Sequence, residues 1–245
     1  MIVGAAILPT APLLVPGASA TLPDGVGFVC DAIDAAVERL PEHDVAVLIG
    51  GADKGSVYDA AEASLRANGR ADIHQSGRVD ADVVQRLSGM IQYPVRRGDP
   101  LPPPLAVLAF LVGNSRPFVP LSVPCAAAFD ALVAVGVGLA GAVADPGLRA
   151  IVVAAGDLSA ALTERSPLHL VPGAVDFDAQ AVDVVDTGRL DGLARLGPEE
   201  AQRVTALGWG PMVVLHGALE RVKIGLVRRH YSAPRGVGYL VAHGA

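Results

Sequence analysis

The chain has 245 residues, a length typical of one large α/β domain or two small ones. Hydrophobic residues make up 51% of it and aromatic residues only 4%, so the apolar side chains are mainly alanine, valine and leucine, which suit helices packed closely on a sheet. The formal net charge is −6, and the longest basic run is Arg228-Arg229-His230, which argues against a nucleic-acid-binding surface.

Cysteine usage and hydropathy indicate where the protein works. Cys30 and Cys125 lie far apart in apolar surroundings, without another Cys or His at metal-ligand spacing, and we interpret them as reduced thiols. The apolar segment 126–144 contains Asp130 and consists mainly of alanine, valine and glycine, so we interpret it as a buried helix and not as a membrane span. The first 20 residues lack the positively charged start of a signal peptide. We therefore predict a cytoplasmic protein that binds neither membranes nor nucleic acids.

The predicted elements alternate between strands and helices along the chain. Continuous apolar runs predict buried strands, and apolar residues at helical spacing predict helices. In chain order we predict a strand over 2–8, a helix over 24–40, a strand over 44–51, helices over 59–69 and 79–90, a strand over 117–123, a helix over 125–144 and a strand over 150–156. Three helical segments between 176 and 206, a helix over 208–220 and strands within 222–232 and 236–244 follow. The alternation predicts one α/β domain over residues 1–245, with a mostly parallel or mixed central sheet flanked by helices.

Three of the predicted strands, over 2–8, 44–51 and 150–156, are followed by loops that carry the candidate functional side chains. Ligands of open α/β sheets bind outside the carboxyl ends of the strands, so we expect these loops to meet at one crevice. We predict that the crevice binds a small polar molecule. The candidate pocket residues are Thr10, Asp53, Lys54, Asp157, Ser159 and His169, the last of which lies in a loop that can fold back.

Five short motifs follow one another along the chain: Pro9-Thr10-Ala11-Pro12-Leu13-Leu14, Gly156-Asp157-Leu158-Ser159-Ala160, FDAQAVDVVDTGRLDGL, LGWGPMVVLHGAL and YSAPRGVGYLV. Taken in this order they resemble the class III extradiol ring-cleavage dioxygenases, the LigB-like superfamily that also includes the Memo proteins. The resemblance extends over residues 2–242. It implies a LigB-like α/β fold and subunits that often form oligomers.

The resemblance also implies a mononuclear Fe(II) site, in which two histidines and a carboxylate hold the metal and a further histidine moves protons on a catechol. Such a site leaves three open positions for a catecholate and dioxygen, and a histidine of near-neutral pKa can take the substrate proton. In this chain the first-loop histidine corresponds to Thr10, the proton-carrying histidine to Ala160, and the cysteine before the last helix of Memo-like relatives to Leu207. Asp157 is retained. We therefore expect the usual iron site to be lost.

Alternative roles remain open for the same residues. Asp157 and Ser159 can cap the turn that follows their strand through hydrogen bonds to backbone amides, and need not touch a ligand. Ser159 lacks the Gly-x-Ser-x-Gly setting of a hydrolase nucleophile. Asp53 and Lys54 can be ordinary solvated charges. A non-standard Fe(II) or Zn site built from Asp53, Asp157 and His169 is the alternative to the metal-free cleft that we expect.

Two functional hypotheses follow from these observations. The first is a binding or interaction protein that keeps the pocket, has lost ring cleavage and needs no cofactor; the second is an enzyme with altered chemistry, either a divergent metal-dependent oxidoreductase or a metal-free acid–base enzyme using Asp53, Lys54 and Asp157. We favour the first. We expect Lys54 to pair with Asp157 or Asp53, because two bare carboxylates in one cleft repel each other. The apolar surface of the helices over 125–144 and 208–220 leads us to expect a homodimer.

Overall fold

The computed structural model describes residues 1–60 and 62–245. Its strands are β1 (Ile2–Leu8), β2 (Val45–Ala52), β3 (Ser56–Tyr58), β4 (Glu62–Leu65), β5 (Arg70–Ser76), β6 (Val95–Arg96), β7 (Phe118–Pro124), β8 (Ala150–Ala155), β9 (Val227–Ser232) and β10 (Tyr239–Gly244). Its helices are α1 (Val26–Val37), α2 (Ala81–Ile91), α3 (Pro103–Val112), α4 (Phe129–Ala142), α5 (Ala174–Asp186), α6 (Pro198–Arg203) and α7 (Trp209–Leu219). Short 3₁₀ turns lie at Pro12–Leu14, Arg66–Asn68, Leu190–Arg195 and Pro234–Gly236.

In the described residues, eight strands form one mixed sheet in the order β6-β3-β7-β2-β8-β1-β10-β9. The four central strands β7, β2, β8 and β1 run parallel to one another. β3 pairs antiparallel with β7 at one side, and β10 pairs antiparallel with β1 and β9 at the other. This arrangement confirms the predicted fold class, a single α/β domain with a mixed central sheet flanked by helices.

Alternate side chains of the central strands enter two hydrophobic layers, one on each face of the sheet. Val45, Val47 and Ile49 of β2 pack in the layer that includes residues of α2, α4, α5 and α7, whereas Ala46 and Leu48 pack in the layer with α1 and α3. Because successive side chains of a strand point to opposite faces, a strand covered on both faces reads as a continuous apolar run. The apolar runs that predicted the central strands have this origin.

The helix predicted over 59–69 is the element that the structure contradicts, apart from residue 61, which lies outside the described residues. The chain forms β4, a 3₁₀ turn over Arg66–Asn68 and then β5, which pairs antiparallel with β4. Ala63 and Leu65 are buried at a spacing of two residues, and Leu65 packs on Val107 of α3. Gly69 has a φ of +81°, and the chain reverses direction there between β4 and β5. Gly69 therefore belongs to a turn between two strands and not to the end of a helix.

The segment predicted as a buried helix over 125–144 forms α4, which covers 129–142. One side of α4 packs on α7 and α2, while its outer side is exposed, so the helix is only half-buried. In the described part of the chain, no helix is both long enough and apolar enough to cross a membrane.

Candidate functional site

A cleft of about 750 Å³ opens at the carboxyl ends of the parallel strands β1, β2, β7 and β8. Its walls come from loops after these strands, from the start of α3, from the segment before α7 and from β10. Cavities of this size lie in the usual range for small-molecule sites, and this edge of the sheet is where α/β proteins bind ligands. The polar residues that line the cleft are Thr10, Asp53, Asn68, Cys125, Asp157, Gln202, Thr205 and Tyr239.

Two glycines allow the backbone segments around the cleft to approach one another closely. A Cβ on Gly51 would lie 2.7 Å from both the Sγ atom of Cys125 and the carbonyl oxygen of Leu207. A Cβ on Gly156 would lie 2.5 Å from the carbonyl oxygen of Leu240. Real Cβ atoms do not tolerate such distances from backbone oxygens, so glycine is required at the ends of β2 and β8 for these segments to converge.

Asp157 and Thr10 form the polar floor of the cleft. The amide of Thr10 donates to both carboxylate oxygens of Asp157, at 3.0 and 2.9 Å, and the Thr10 hydroxyl donates to one of them. Burial raises the pKa of Asp157, and the hydrogen bonds from Thr10 oppose that rise. Thr10, in the loop after β1, therefore holds in place the carboxyl group of Asp157, in the loop after β8.

Tyr239 is a cleft residue that is not among those predicted from the sequence. It is 5% exposed, lines the cleft, and forms an antiparallel bridge with Asp157, so the two residues are neighbours on adjacent segments of the backbone. Burial and the carboxylate of Asp157 raise the pKa of Tyr239 to about 12. The phenol therefore keeps its proton. In the sequence, Tyr239 is recognisable only as a residue near the start of the last predicted strand. The antiparallel pairing of β10 with β1 brings it to the cleft.

Cys125 is a second cleft residue that was not predicted from the sequence. It follows β7, lines the cleft, and donates its backbone N–H to the carbonyl oxygen of Ala52 at the end of β2. Burial and nearby Asp53 raise the pKa of its thiol, so it is protonated near neutral pH. Neither Cys125 nor Cys30 is in a disulfide.

The second loop divides its two charged residues between the cleft and the surface. Asp53 lines the cleft at an exposed position, whereas Lys54 is exposed and does not line it. The carbonyl oxygen of Lys54 accepts a hydrogen bond from Ser122 of β7 at 2.9 Å, which fixes the backbone at the outer side of the loop. Among the described residues, Lys54 makes no ion pair with Asp53 or Asp157. The predicted pairing of Lys54 is wrong.

Ser159 lies beneath the loop and does not line the cleft, so its prediction as a pocket residue is wrong. It is fully buried; its hydroxyl donates to the carbonyl oxygen of Val204 at 3.1 Å and accepts from the amide of Ala161 at 3.2 Å. Its amide donates to Asp178 at 2.9 Å. These hydrogen bonds use the hydroxyl to hold the turn after β8, the capping role that was the alternative in the sequence.

His169 also lies outside the cleft, in contrast to the prediction. It is exposed, its backbone has a φ of +57°, and its Nδ1 atom lies 3.3 Å from the carbonyl oxygen of Glu164. The loop folds onto itself by local hydrogen bonds instead of reaching back over Asp157. Consequently the alternative metal site of Asp53, Asp157 and His169 is not formed: within residues 1–60 and 62–245, no group of three His, Cys, Asp or Glu side chains is placed to hold a metal ion.

The residues present at the floor of the cleft do not fit the Fe(II) site of the dioxygenases that the sequence resembles. In the correspondence that the resemblance implies, Thr10 stands for the first-loop histidine, and its hydroxyl and amide both donate to Asp157. The same correspondence matches the proton-carrying histidine to Ala160, which lines the cleft without a polar atom in its side chain. The iron site of such dioxygenases uses two histidines and a carboxylate, whereas the described residues that line this cleft include carboxylates but no histidine.

Comparison with known proteins bears on the fold. No family model and no curated protein matches the chain. Among solved structures, the crystal structure of uncharacterized protein JW3007 from Escherichia coli K12 is similar, with a TM-score of 0.68 and 15% sequence identity, over 98% of each chain. At this identity the similarity shows that the two chains share a fold over nearly their whole length.

Proposed function

We propose that the chain is a divergent LigB-like protein that binds a small polar molecule in the cleft and has lost Fe(II)-dependent ring cleavage. The observation that carries the proposal is the cleft itself, which combines about 750 Å³ of space with Asp157 at its floor, held by Thr10. The five motifs of the sequence support the LigB-like part of the proposal. Thr10 and Ala160 support the loss of ring cleavage, because neither side chain can replace a histidine as a metal ligand or proton carrier.

Ring cleavage is tested on the purified protein after anaerobic reconstitution with Fe(II). We expect protocatechuate and simple catechols to remain uncleaved in the presence of dioxygen, since Asp157 alone cannot retain the metal against water. The measurement is the absorbance of the yellow ring-opened product, with iron content determined in parallel. Product formation above a trace rate, with stoichiometric iron, would contradict this part of the proposal.

Ligand binding in the cleft is tested by ligand-observed NMR against a library of small cationic, neutral and anionic fragments. Ala160 lines the cleft, so Ala160→Trp should fill part of it and weaken the binding of fragments that the unmodified protein binds. Ala71→Trp, at an exposed position of β5, is the matched control and should leave them bound. If Ala160→Trp weakens the binding of no fragment in the library, the proposed binding function is wrong.

A metal-free acid–base enzyme is the second candidate, and the raised pKa of Asp157 favours it. A carboxyl group in a partly apolar cleft, beside a protonated phenol, has the setting of a general acid or base. If the first candidate is right, fragments that have bound to the protein are recovered chemically unchanged. The second predicts chemical conversion that Asp157→Asn abolishes, which mass spectrometry of the recovered fragments detects. A cytoplasmic location and the absence of membrane and nucleic-acid partners stay predictions.

A further inference from the structure

The charged side chains that line the cleft have one sign. Asp157 lies at its floor and Asp53 at its rim, while the described residues that line it include no lysine, arginine or histidine. Lys54 and Arg235 are exposed and lie outside the lining, although the charge of Arg235 opposes the rise in the pKa of Tyr239. A ligand with a carboxylate or phosphate group would therefore bring a like charge against Asp157, without a cation in the lining to receive it.

The backbone around the cleft gives an anion little help either. Helix N-termini commonly bind anions through their first N–H groups. At the cleft, α3 begins with Pro103 and Pro104, preceded by Pro102, and proline has no N–H. At α7 the amide of Gly208 already donates to the carbonyl oxygen of Asp157, at 2.7 Å. These helix ends thus offer an anion fewer free N–H groups than an ordinary helix N-terminus does.

The hydroxyl of Tyr239 completes the polar side of the cleft. Tyr239 is 5% exposed and lines the cleft, and its hydroxyl has no hydrogen-bond partner among the described residues. The backbone bridge between Asp157 and Tyr239 keeps the two side chains close together. Because the hydroxyl makes no hydrogen bond within the described residues, it can donate to or accept from a ligand group that also contacts the Asp157 carboxylate.

Much of the remaining lining of the cleft is apolar. Pro102, Pro103 and Pro104, at the start of α3, form a proline wall, and Leu207 and Val237 also line the cleft. Rigid proline rings contact an aromatic or aliphatic body without ordering side chains, which favours binding of a ligand that is apolar over most of its surface.

We propose that the ligand of this cleft is an organic cation, an amine carried on an apolar body, whose ammonium group binds Asp157 and the Tyr239 hydroxyl while its body lies along the proline wall. The proposal rests on the proposed function, because it names the chemical class of the molecule that the cleft binds. Asp53 at the rim adds attraction for the same charge and repels anions.

The proposal is tested with three probes of the same body: 2-phenylethylamine, 2-phenylethanol and 3-phenylpropanoate. Affinities are measured by NMR titration of the full chain near neutral pH. We expect the amine to bind at least roughly tenfold more tightly than the carboxylate, a difference of about 1.4 kcal/mol. Asp157→Asn and Tyr239→Phe should each weaken the amine several-fold and leave the alcohol little changed. Asp24→Asn, an exposed carboxylate outside the cleft, is the control and should have no effect.

Asp53→Asn extends the test to an exposed position, where folding does not depend on the side chain. It should weaken the amine and strengthen the carboxylate. Binding of the alcohol or the carboxylate as tightly as the amine would overturn the inference about charge, while the cleft would remain a binding site. If none of the three probes binds and Ala160→Trp displaces no fragment of the wider library, the proposed function itself is wrong.

Discussion

Asp178 supports the third loop of the cleft from below. This carboxylate, on α5, is 1% exposed; its two oxygens accept hydrogen bonds from the amide of Ser159 at 2.9 Å and the hydroxyl of Tyr231 at 2.7 Å. A Cβ on Gly238 would lie 2.0 Å from one of these oxygens, so the chain before β10 passes directly over it. Burial outweighs both hydrogen bonds and raises the pKa of Asp178 to about 6.

Substitution of Asp178 should change how stability depends on pH. The pKa of Asp178 in the folded state lies above the ordinary value of 3.8. The stability that the protonated, buried carboxyl group gives the fold is therefore fully present below pH 3.8 and is lost as the pH rises through 6. By pH 7 the buried charge costs about 3 kcal/mol relative to pH below 3.8. The side chain introduced by Asp178→Asn carries no charge at any pH. The free energy of unfolding of Asp178→Asn, relative to that of the unmodified protein, should therefore rise by an amount of this order between pH 4 and 7.

Urea unfolding at pH 4, 5, 6 and 7 measures the difference between the two proteins. Asp183→Asn, on the exposed side of the same helix, is the control and should follow the unmodified protein at every pH. A constant difference between Asp178→Asn and the unmodified protein over this range would show that Asp178 does not titrate near pH 6.

The packing of α4 on α7 depends on glycine in both helices. A Cβ on Gly136 of α4 would lie 2.1 Å from the carbonyl oxygen of Val214, and a Cβ on Gly217 of α7 would lie 2.2 Å from the carbonyl oxygen of Val133. The two backbones are therefore in direct contact, which places the amino-terminal end of α7 beside Cys125 and the cleft. Nothing larger than glycine fits at these positions without moving one helix.

We expect Gly136→Ala to lower the free energy of unfolding by at least about 2 kcal/mol, because the added methyl group meets backbone atoms that cannot yield easily. Gly89→Ala is the matched control, since Gly89 also lies in a helix but has open space around it. It should raise stability by about 0.5–1 kcal/mol through helix propensity alone. Chemical denaturation of both variants checks the pair, and equal effects would contradict the close packing.

At the scale of the whole molecule, the outer side of α4 leaves small apolar residues exposed. Ala131, Ala134, Val137 and Gly141 lie along it, and Met90 of α2, 53% exposed, lies beside Gly141. α7, by contrast, is buried inside the chain almost throughout, between the sheet and α4. Of the two helices behind the expectation of a homodimer, only α4 therefore offers a surface for a second copy.

We expect light scattering to give about twice the monomer mass of 24.9 kDa at micromolar concentrations. Val137→Glu should shift the protein towards the monomer, because a charge would be buried between the two copies of α4. Val175→Glu, at an exposed valine of α5, is the control and should keep the dimer. A monomer mass for the unmodified protein would show that the small residues of α4 simply face solvent.

The order and type of most elements could be predicted from the sequence alone, because strands covered on both faces and helices with one apolar side leave distinct periods in the chain. The residues 59–69 could not, since over so short a segment the spacing of Ala63 and Leu65 fits a strand as well as a helix, and contact with α3 decides. Thr10, Asp53 and Asp157 could be placed in the cleft because they directly follow parallel strands.

The other side chains of the site were decided only by tertiary structure. Lys54 and Ser159 are each within two residues of a cleft acid, yet one lies at the surface and the other beneath the loop, because neighbouring residues in a turn point in different directions. Tyr239 enters the cleft from a strand at the far end of the chain, through the antiparallel pairing of β10 with β1. Residue spacing therefore determined which loops form the site, and the pairing of strands and the turns of the backbone determined which side chains face it.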